Sequence, residues 1–234
     1  MRVNVHSHFV ASLNGPHMSD TATHPASSSA SQRQSDRRTE ILDAAERCFS
    51  RSGFHRASMQ DICREAQMSP GNLYRYFPSK EALIAGICER NRADAVASFA
   101  LVDQAPNFFD GLAGLARHHL VDRSDAEIGL CAEIMAESRR HPEISKLYQT
   151  IEDDIKERIA AMLRTGAARG EIRADIDFDA AAAVLMVLGD GMSWRRSVDP
   201  KFDAEGTLPL ILQMVHCLLS KPGDCAGTSE KAMS

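Results

Sequence analysis

Long apolar runs are missing from this 234-residue chain. No segment approaches the roughly 18 consecutive apolar residues that a membrane span requires. The best candidate, AAAAVLMVLG over 180–189, is too short and lies between Asp179 and Asp190. A glycine-rich phosphate loop, HExxH, G-x-S-x-G and a deaminase-type zinc signature are also absent, which removes the usual signposts of an enzyme. Asp153 and Asp154 are adjacent, so on a helix they point different ways and make no general acid–base pair. The six cysteines, at 48, 63, 88, 131, 217 and 225, form no C-x-x-C pair. They read as buried, reduced thiols in a reducing compartment, and no metal or cofactor is expected. Alternating β-branched stretches are scarce and no repeat is visible, so the expected fold class is all-α.

Apolar residues supply 44% of the chain, enough for a sizeable core. The net charge of -5 is unevenly spread. Residues 1–35 and 36–92 are each slightly positive, whereas 93–234 carry all the excess acid. A mildly basic module on an acidic body suits a polyanion at one end. The first 35 residues, with ATHPASSSASQRQS, read as a disordered extension whose histidines (6, 8, 17 and 24) belong to a flexible tail. MRVNVHSHFV has no sustained apolar core and does not read as a secretory signal, so a cytoplasmic location is expected.

Helical periodicity starts near Arg37, with Ile41, Leu42, Ala45, Cys48 and Phe49 on one face and Gly53 at its end. Ser58 opens a short helix with Asp61 three residues on, in a capping-box arrangement. Gln67-Met68 is a brief turn. Ser69 caps the next helix and Pro70 suits its first position. The spacing then predicts one long helix over 79–102 and further helices near 107–121, 126–140, 143–169, 177–195 and 206–220. On the 143–169 helix the charged residues Glu152, Asp153, Asp154, Lys156, Glu157 and Arg158 read as a solvated face.

Two short helices joined by a tight turn and braced by a longer one form a helix-turn-helix, whose second helix enters the major groove of duplex DNA. Gly71 at its start lets something large come close. Asn72, Tyr74 and Arg75 are long enough to reach base edges, and Ser58, Tyr76 and Lys80 are placed for phosphates. Leu73 and Phe77 should face inward against Phe49 and Ile62. Tyr74 has the alternative of bracing that core, and Arg75 that of a solvated charge.

Residues 38–87 contain AAERCFSRSGF, S-M-x-D-I-C-x-E-A and S-P-G-N-L-Y-R-Y-F-x-S-K-E-A-L. This span resembles the DNA-binding domain of the TetR/AcrR family of bacterial transcriptional regulators. The resemblance implies a homodimer, most often a repressor, with a three-helix DNA-binding domain and a larger helical domain that binds a small inducer and dimerises. It places Ser58 at the usual threonine or serine that starts the second helix, Pro70, Asn72 and Arg75 at base-contacting or groove-facing positions, Tyr74 at the tyrosine of the motif, and Tyr76 and Lys80 at phosphates. Gln67 departs from it, because glycine is usual there. The implied division is an extension over 1–35, a DNA-binding domain over 36–82, a regulatory and dimerisation domain over 83–221, and a tail over 222–234.

Broad apolar stripes need a partner. Ala181, Val184, Leu185 and Leu188, with Leu210, Ile211, Met214, Val215 and Leu218, are the expected dimer interface, a four-helix bundle across a two-fold axis in the family reading. Phe109, Met135, Met162, Met186, Met192 and Trp194 are the candidate lining of a pocket for a hydrophobic inducer, each with core packing as its alternative and Trp194 also with the dimer seam. The partners expected are therefore duplex DNA, a second copy of the chain and a small apolar molecule, with no membrane. The rivals are a DNA-binding protein with no ligand and a helical enzyme.

Overall fold

The computed structural model describes the backbone of residues 26–221 and side chains from residue 31 onward. The histidines of the extension and the tail over 222–234 lie outside the described residues. Two compact units divide between Asp36 and Arg37. Of the first, residues 26–36 are described and helical, with Gln32 Nε2 donating to Asp36 Oδ1 at 2.9 Å. Helix α1 (Ala26–Arg56) therefore starts ahead of Arg37. Residues 26–35, part of the expected extension, are helical in this structure. Once the apolar turns around Ile41 are helical, propagation through Ala, Ser and Gln residues is far easier than nucleation.

In the second unit, Ile41, Leu42, Ala44, Ala45, Cys48 and Phe49 form the buried stripe of α1. Gly53 ends its regular path with φ 74° and ψ 159°, a conformation open to glycine and costly to other residues. Ser58 begins α2 (Met59–Glu65) through a complete capping box: its hydroxyl accepts from the Asp61 amide and its own amide donates to the Asp61 carboxylate at 2.9 Å. The carboxyl of Asp61 is held low chiefly by the bonds from Ser58.

The turn after α2 is a Schellman motif: the Gln67 amide donates to Arg64 O at 3.2 Å and the Met68 amide to Cys63 O at 3.0 Å. Gln67 sits at φ 50°, the single positive φ of a non-glycine residue in the described chain. Helix α3 (Pro70–Tyr76) follows with Ser69 as its cap, and α4 (Lys80–Ser98) is capped by Ser79. Leu73 and Phe77 are fully buried in the same cluster as Phe49 and Ile62, as their spacing predicts. Gly86 lets α4 close on this core, since a Cβ there would lie 2.9 Å from both Leu42 and Phe77 atoms.

The remaining helices are α5 (Ala100–Gln104), α6 (Phe108–Arg117), α7 (Asp125–Ser138), α8 (Pro142–Ala168), α9 (Phe178–Val198) and α10 (Ala204–Leu219). No strand occurs among the described residues. Two details differ from the sequence reading. The long helix over 79–102 breaks at Phe99, where Ser98 Oγ donates to its own helix at Ala95 O (2.6 Å) and meets His119 Nε2 at 2.7 Å. The helix over 107–121 widens into a π turn at His118–Asp122. Arg196 of α9 supports that turn by donating to Leu120 O (2.8 Å), Val121 O (3.2 Å) and Arg123 O (2.9 Å).

The core divides in two. One cluster joins α1–α4 to Leu130 and Ile134 of α7 and Ile144 of α8. The other joins Phe108, Leu112 and Leu115 of α6 to Leu163 of α8, Ala182 of α9 and Leu219 of α10. No helix of the described chain is long and apolar enough to cross a membrane.

Gln67→Gly should stabilise the protein. It removes about 1–2 kcal/mol of left-handed strain and adds about 0.5–1 kcal/mol of chain freedom in the unfolded state, a net gain of roughly 0.5–1 kcal/mol. Urea unfolding of the two proteins checks this; a lower midpoint for the glycine variant would show that the glutamine side chain offsets its own strain.

Candidate DNA interface and body cavity

Helix α3 has one buried residue, Leu73, with Phe77 buried just beyond its end. The opposite side carries Pro70, Gly71, Tyr74 and Arg75, all exposed, with Asn72 half-buried beside them. Tyr74 is 50% exposed and is not part of the core cluster, whereas Tyr76 is half-buried and packs on it. Of the two neighbouring tyrosines, Tyr76 is thus the brace. Arg75 makes no hydrogen bond or ion pair among the described residues and is free to reach outward.

Two expected phosphate contacts have other partners. The Ser58 hydroxyl is engaged in its capping box, donating to Asp61 Oδ2 at 2.6 Å. Lys80 Nζ donates to Phe54 O at 2.6 Å and His55 O at 3.3 Å, and lies 4.4 Å from the centre of the Phe54 ring. Carbonyls collect where α1 ends, and an ammonium is drawn to them. Lys80 thus braces α1 against α4 in the absence of DNA.

Behind the head, the cavities of the body include two adjoining ones of about 270 and 510 Å³. Met162 and Met186 line the smaller, and Met135 and Trp194 the larger. Two of the expected lining residues are not among those that line either cavity: Met192 is buried in the body, and Phe109 stacks on His216 with ring centres 4.3 Å apart. The expected dimer residues also divide. Ala181 and Val215 are buried in the chain's own core, and Leu185, Leu188 and Ile211 pack against it and line the smaller cavity. Val184, Leu210, Met214 and Leu218 are exposed, together with Val187, Trp194 and Val198.

His119, Arg123, Glu152 and Asp190 line both cavities. Sequence reasoning left these polar residues out of the pocket and put Glu152 on a solvated face. The missed signal is its position: Tyr148, Glu152, Ile155 and Ile159 fall on one stripe of α8. Burial first, and then the charge of Asp190, pushes the Glu152 carboxyl up, against the opposing effect of a hydrogen bond with Tyr148. Asp190 is exposed as a residue, yet its carboxyl is enclosed enough for burial to raise it too. Burial, followed by the charges of His118 and Arg123, lowers His119 to about 4. The cations nearby are already matched: Arg92 pairs with Glu89 and Asp154, and Arg123 with Glu127.

The family model described as bacterial regulatory proteins, tetR family, matches residues 41–87, and a second, described as BetI-type transcriptional repressor, C-terminal, matches 115–220. This chain belongs to the TetR family. The HTH-type transcriptional regulator UidR of Escherichia coli K12 is 36% identical over 155 residues, covering 66% of this chain and 79% of the relative. Among solved structures, GusR of Salmonella enterica aligns with a TM-score of 0.66 and 32% identity over 77% of this chain and 95% of that one. A regulator from Saccharomonospora viridis, crystallised in complex with choline, aligns with a TM-score of 0.70 and 25% identity over 80% and 99%. As a TetR-family member the protein is a DNA-binding transcriptional regulator and not an enzyme.

The His119 environment predicts an acid sensitivity. Between pH 6.5 and about 4 the unfolded chain holds a proton at position 119 that the folded chain does not. Stability therefore falls as pH falls through that window, by at most about 1.4 kcal/mol per pH unit. Urea unfolding at pH 7 and pH 5 should show a larger loss for the wild type than for His119→Gln. Equal losses would place the acid sensitivity in other groups.

Proposed function

We propose that the protein is a homodimeric repressor that binds a palindromic duplex operator through α3 and releases it when a small molecule occupies the body cavity. The observation that carries the DNA part is the outward face of α3: a glycine, a half-exposed tyrosine and an unpaired arginine on a helix fixed from behind by Leu73 and Phe77. Arg75 would bond guanine edges and Asn72 adenine edges, with Tyr74 and the exposed Pro70 turn against the groove wall.

The dimer part rests on the exposed apolar residues of α9 and α10. Val184, Val187, Trp194 and Val198 follow one face of α9, and Leu210, Met214 and Leu218 recur every fourth residue on α10. A patch of this kind on a lone chain marks an interaction surface. A second copy would bury it and repeat α3 one helical turn away, about 34–36 Å along the duplex.

The cavity suits an apolar molecule that carries a positive charge. Leucine, isoleucine and methionine line most of the smaller compartment, while Glu152 and Asp190 on the shared wall pair with no cation among the described residues. A ligand cation there would relieve the repulsion between the two carboxylates. The choline complex of the Saccharomonospora viridis regulator accords with this reading. A ligand that prefers a geometry with mismatched α3 helices weakens operator binding by the difference in its affinity for the two states.

Three measurements bear on these points. Arg75→Ala should weaken a duplex selected from a random pool by about 1–3 kcal/mol and leave random duplex nearly unchanged; equal losses would make Arg75 a phosphate contact. Sedimentation should give about twice the 25.6 kDa chain mass for the wild type, and Leu210→Asp with Met214→Asp should bring it toward the single-chain value. A wild-type monomer that still bound DNA tightly would rule out the two-fold arrangement. For the ligand, quaternary ammonium and hydrophobic amine compounds would be titrated against the protein–duplex complex, and release abolished by Glu152→Gln would support the cationic class.

A further inference from the structure

We infer that the Phe54–His55 junction at the end of α1 is where occupancy of the larger cavity reaches the DNA-binding helices, with Glu133 and Glu137 of α7 as the positioning residues. The inference rests on the ligand-responsive reading above and assigns it a route. Ile128, Cys131, Ala132 and Met135 of α7 line the larger cavity, and Cys88, Asn91 and Arg92 of α4 line it from another side.

Both of these helices also hold the junction. Glu133 and Glu137 lie one helical turn apart and point at it together. Glu133 Oε2 accepts from the Phe54 amide at 2.8 Å. Glu137 Oε1 lies 2.9 Å from His55 Nε2. From α4, Lys80 holds the carbonyls of the same two residues. The Phe54 ring, buried among Phe49, His55 and His141, keeps the junction from slipping. Three residues further along the chain, Ser58 starts α2.

A change in the separation of α4 and α7 therefore pulls on opposite sides of one dipeptide. The grip of α7 is shared. Glu137 is 3% exposed; its Oε1 accepts from Arg140 Nη1 at 2.9 Å as well as facing His55, and its Oε2 lies 3.3 Å from His141 Nε2. A buried carboxylate with three cationic or titratable partners can trade one for another after a small shift, so the His55 contact can loosen without leaving the carboxylate unpaired. Gly53, just before the junction, has the backbone freedom to absorb such a shift.

The test replaces the unidentified ligand by a side chain. Ala132→Phe fills the larger cavity from α7, and Cys131→Met does so more gently if the first variant folds poorly by circular dichroism and melting. Full-length proteins would be titrated with a duplex selected from a random pool on the wild type. Filling the cavity should weaken that duplex by about tenfold in the wild-type background. In a Glu133→Ala, Glu137→Ala background the same filling should cost less than about threefold. In a Glu133→Gln, Glu137→Gln background, where side-chain acceptors for the Phe54 amide and His55 remain, the full effect should return. A glutamate pair that only stabilised the fold would lower affinity by the same factor with or without the filling. An equal effect of filling in all three backgrounds overturns the route while leaving a responsive cavity in place, and no effect in the wild type overturns both.

Discussion

Leu130 and Ile134 of α7 and Ile144 of α8 are buried in the same cluster as Phe49, Phe54, Ile62 and Leu73. Nearly everything else follows from this shared packing. It leaves the three DNA-binding helices without a private core, so their mutual angle is fixed partly by helices that also wall the cavity. Close-packed interiors do not deform gradually; they resist and then rearrange. A wall that moves must move the head with it or break apolar contact. The second cluster, around Leu163, Ala182 and Leu219, can in turn hold α6, α9 and α10 while the first adjusts.

Charge is handled differently at the surface and inside. Outside, Arg47 and Arg51 of α1 meet Glu65 of α2, whose carboxyl the two guanidinium groups hold low. Pairs so exposed add little to stability. Inside the body the pattern reverses, with Glu152 and Asp190 raised by burial and His119 lowered by it. Each of these groups is pressed toward its neutral form. A cavity kept in that state is sensitive to any charge that enters it.

Local signals made the head readable: a serine before each short helix, a capping box at Ser58, and a fourfold spacing from Leu73 to Phe77. Gln67 was legible too, since a residue where glycine is usual is found at φ 50°. Lys80 was not. Its partners are carbonyls more than 20 residues away, and no periodicity encodes where an earlier helix ends. The body was legible as helices but not as faces. Ala181 and Leu185 belong to one apolar stripe on paper, yet one is buried and the other lines a cavity, while Val187, outside the expected interface, is exposed. Period alone marks a face as apolar and says nothing about which neighbour covers it.

Arg196 is 10% exposed at its side chain and spans the carbonyls of Leu120, Val121 and Arg123 and the carboxylate of Asp125 at 2.7 Å. One planar group thereby finishes the π turn and begins α7. The two terminal NH2 groups hold four N–H donors in one plane and so reach four oxygens spread along the chain, whereas an ammonium on a flexible stem offers three from one point. Lysine, the ordinary conservative replacement, would therefore be a disruptive one at this position. The pair WRR in the sequence hides this asymmetry: Arg195 sits on the exposed side of the same helix, and two identical neighbouring letters differ wholly in how freely they can change.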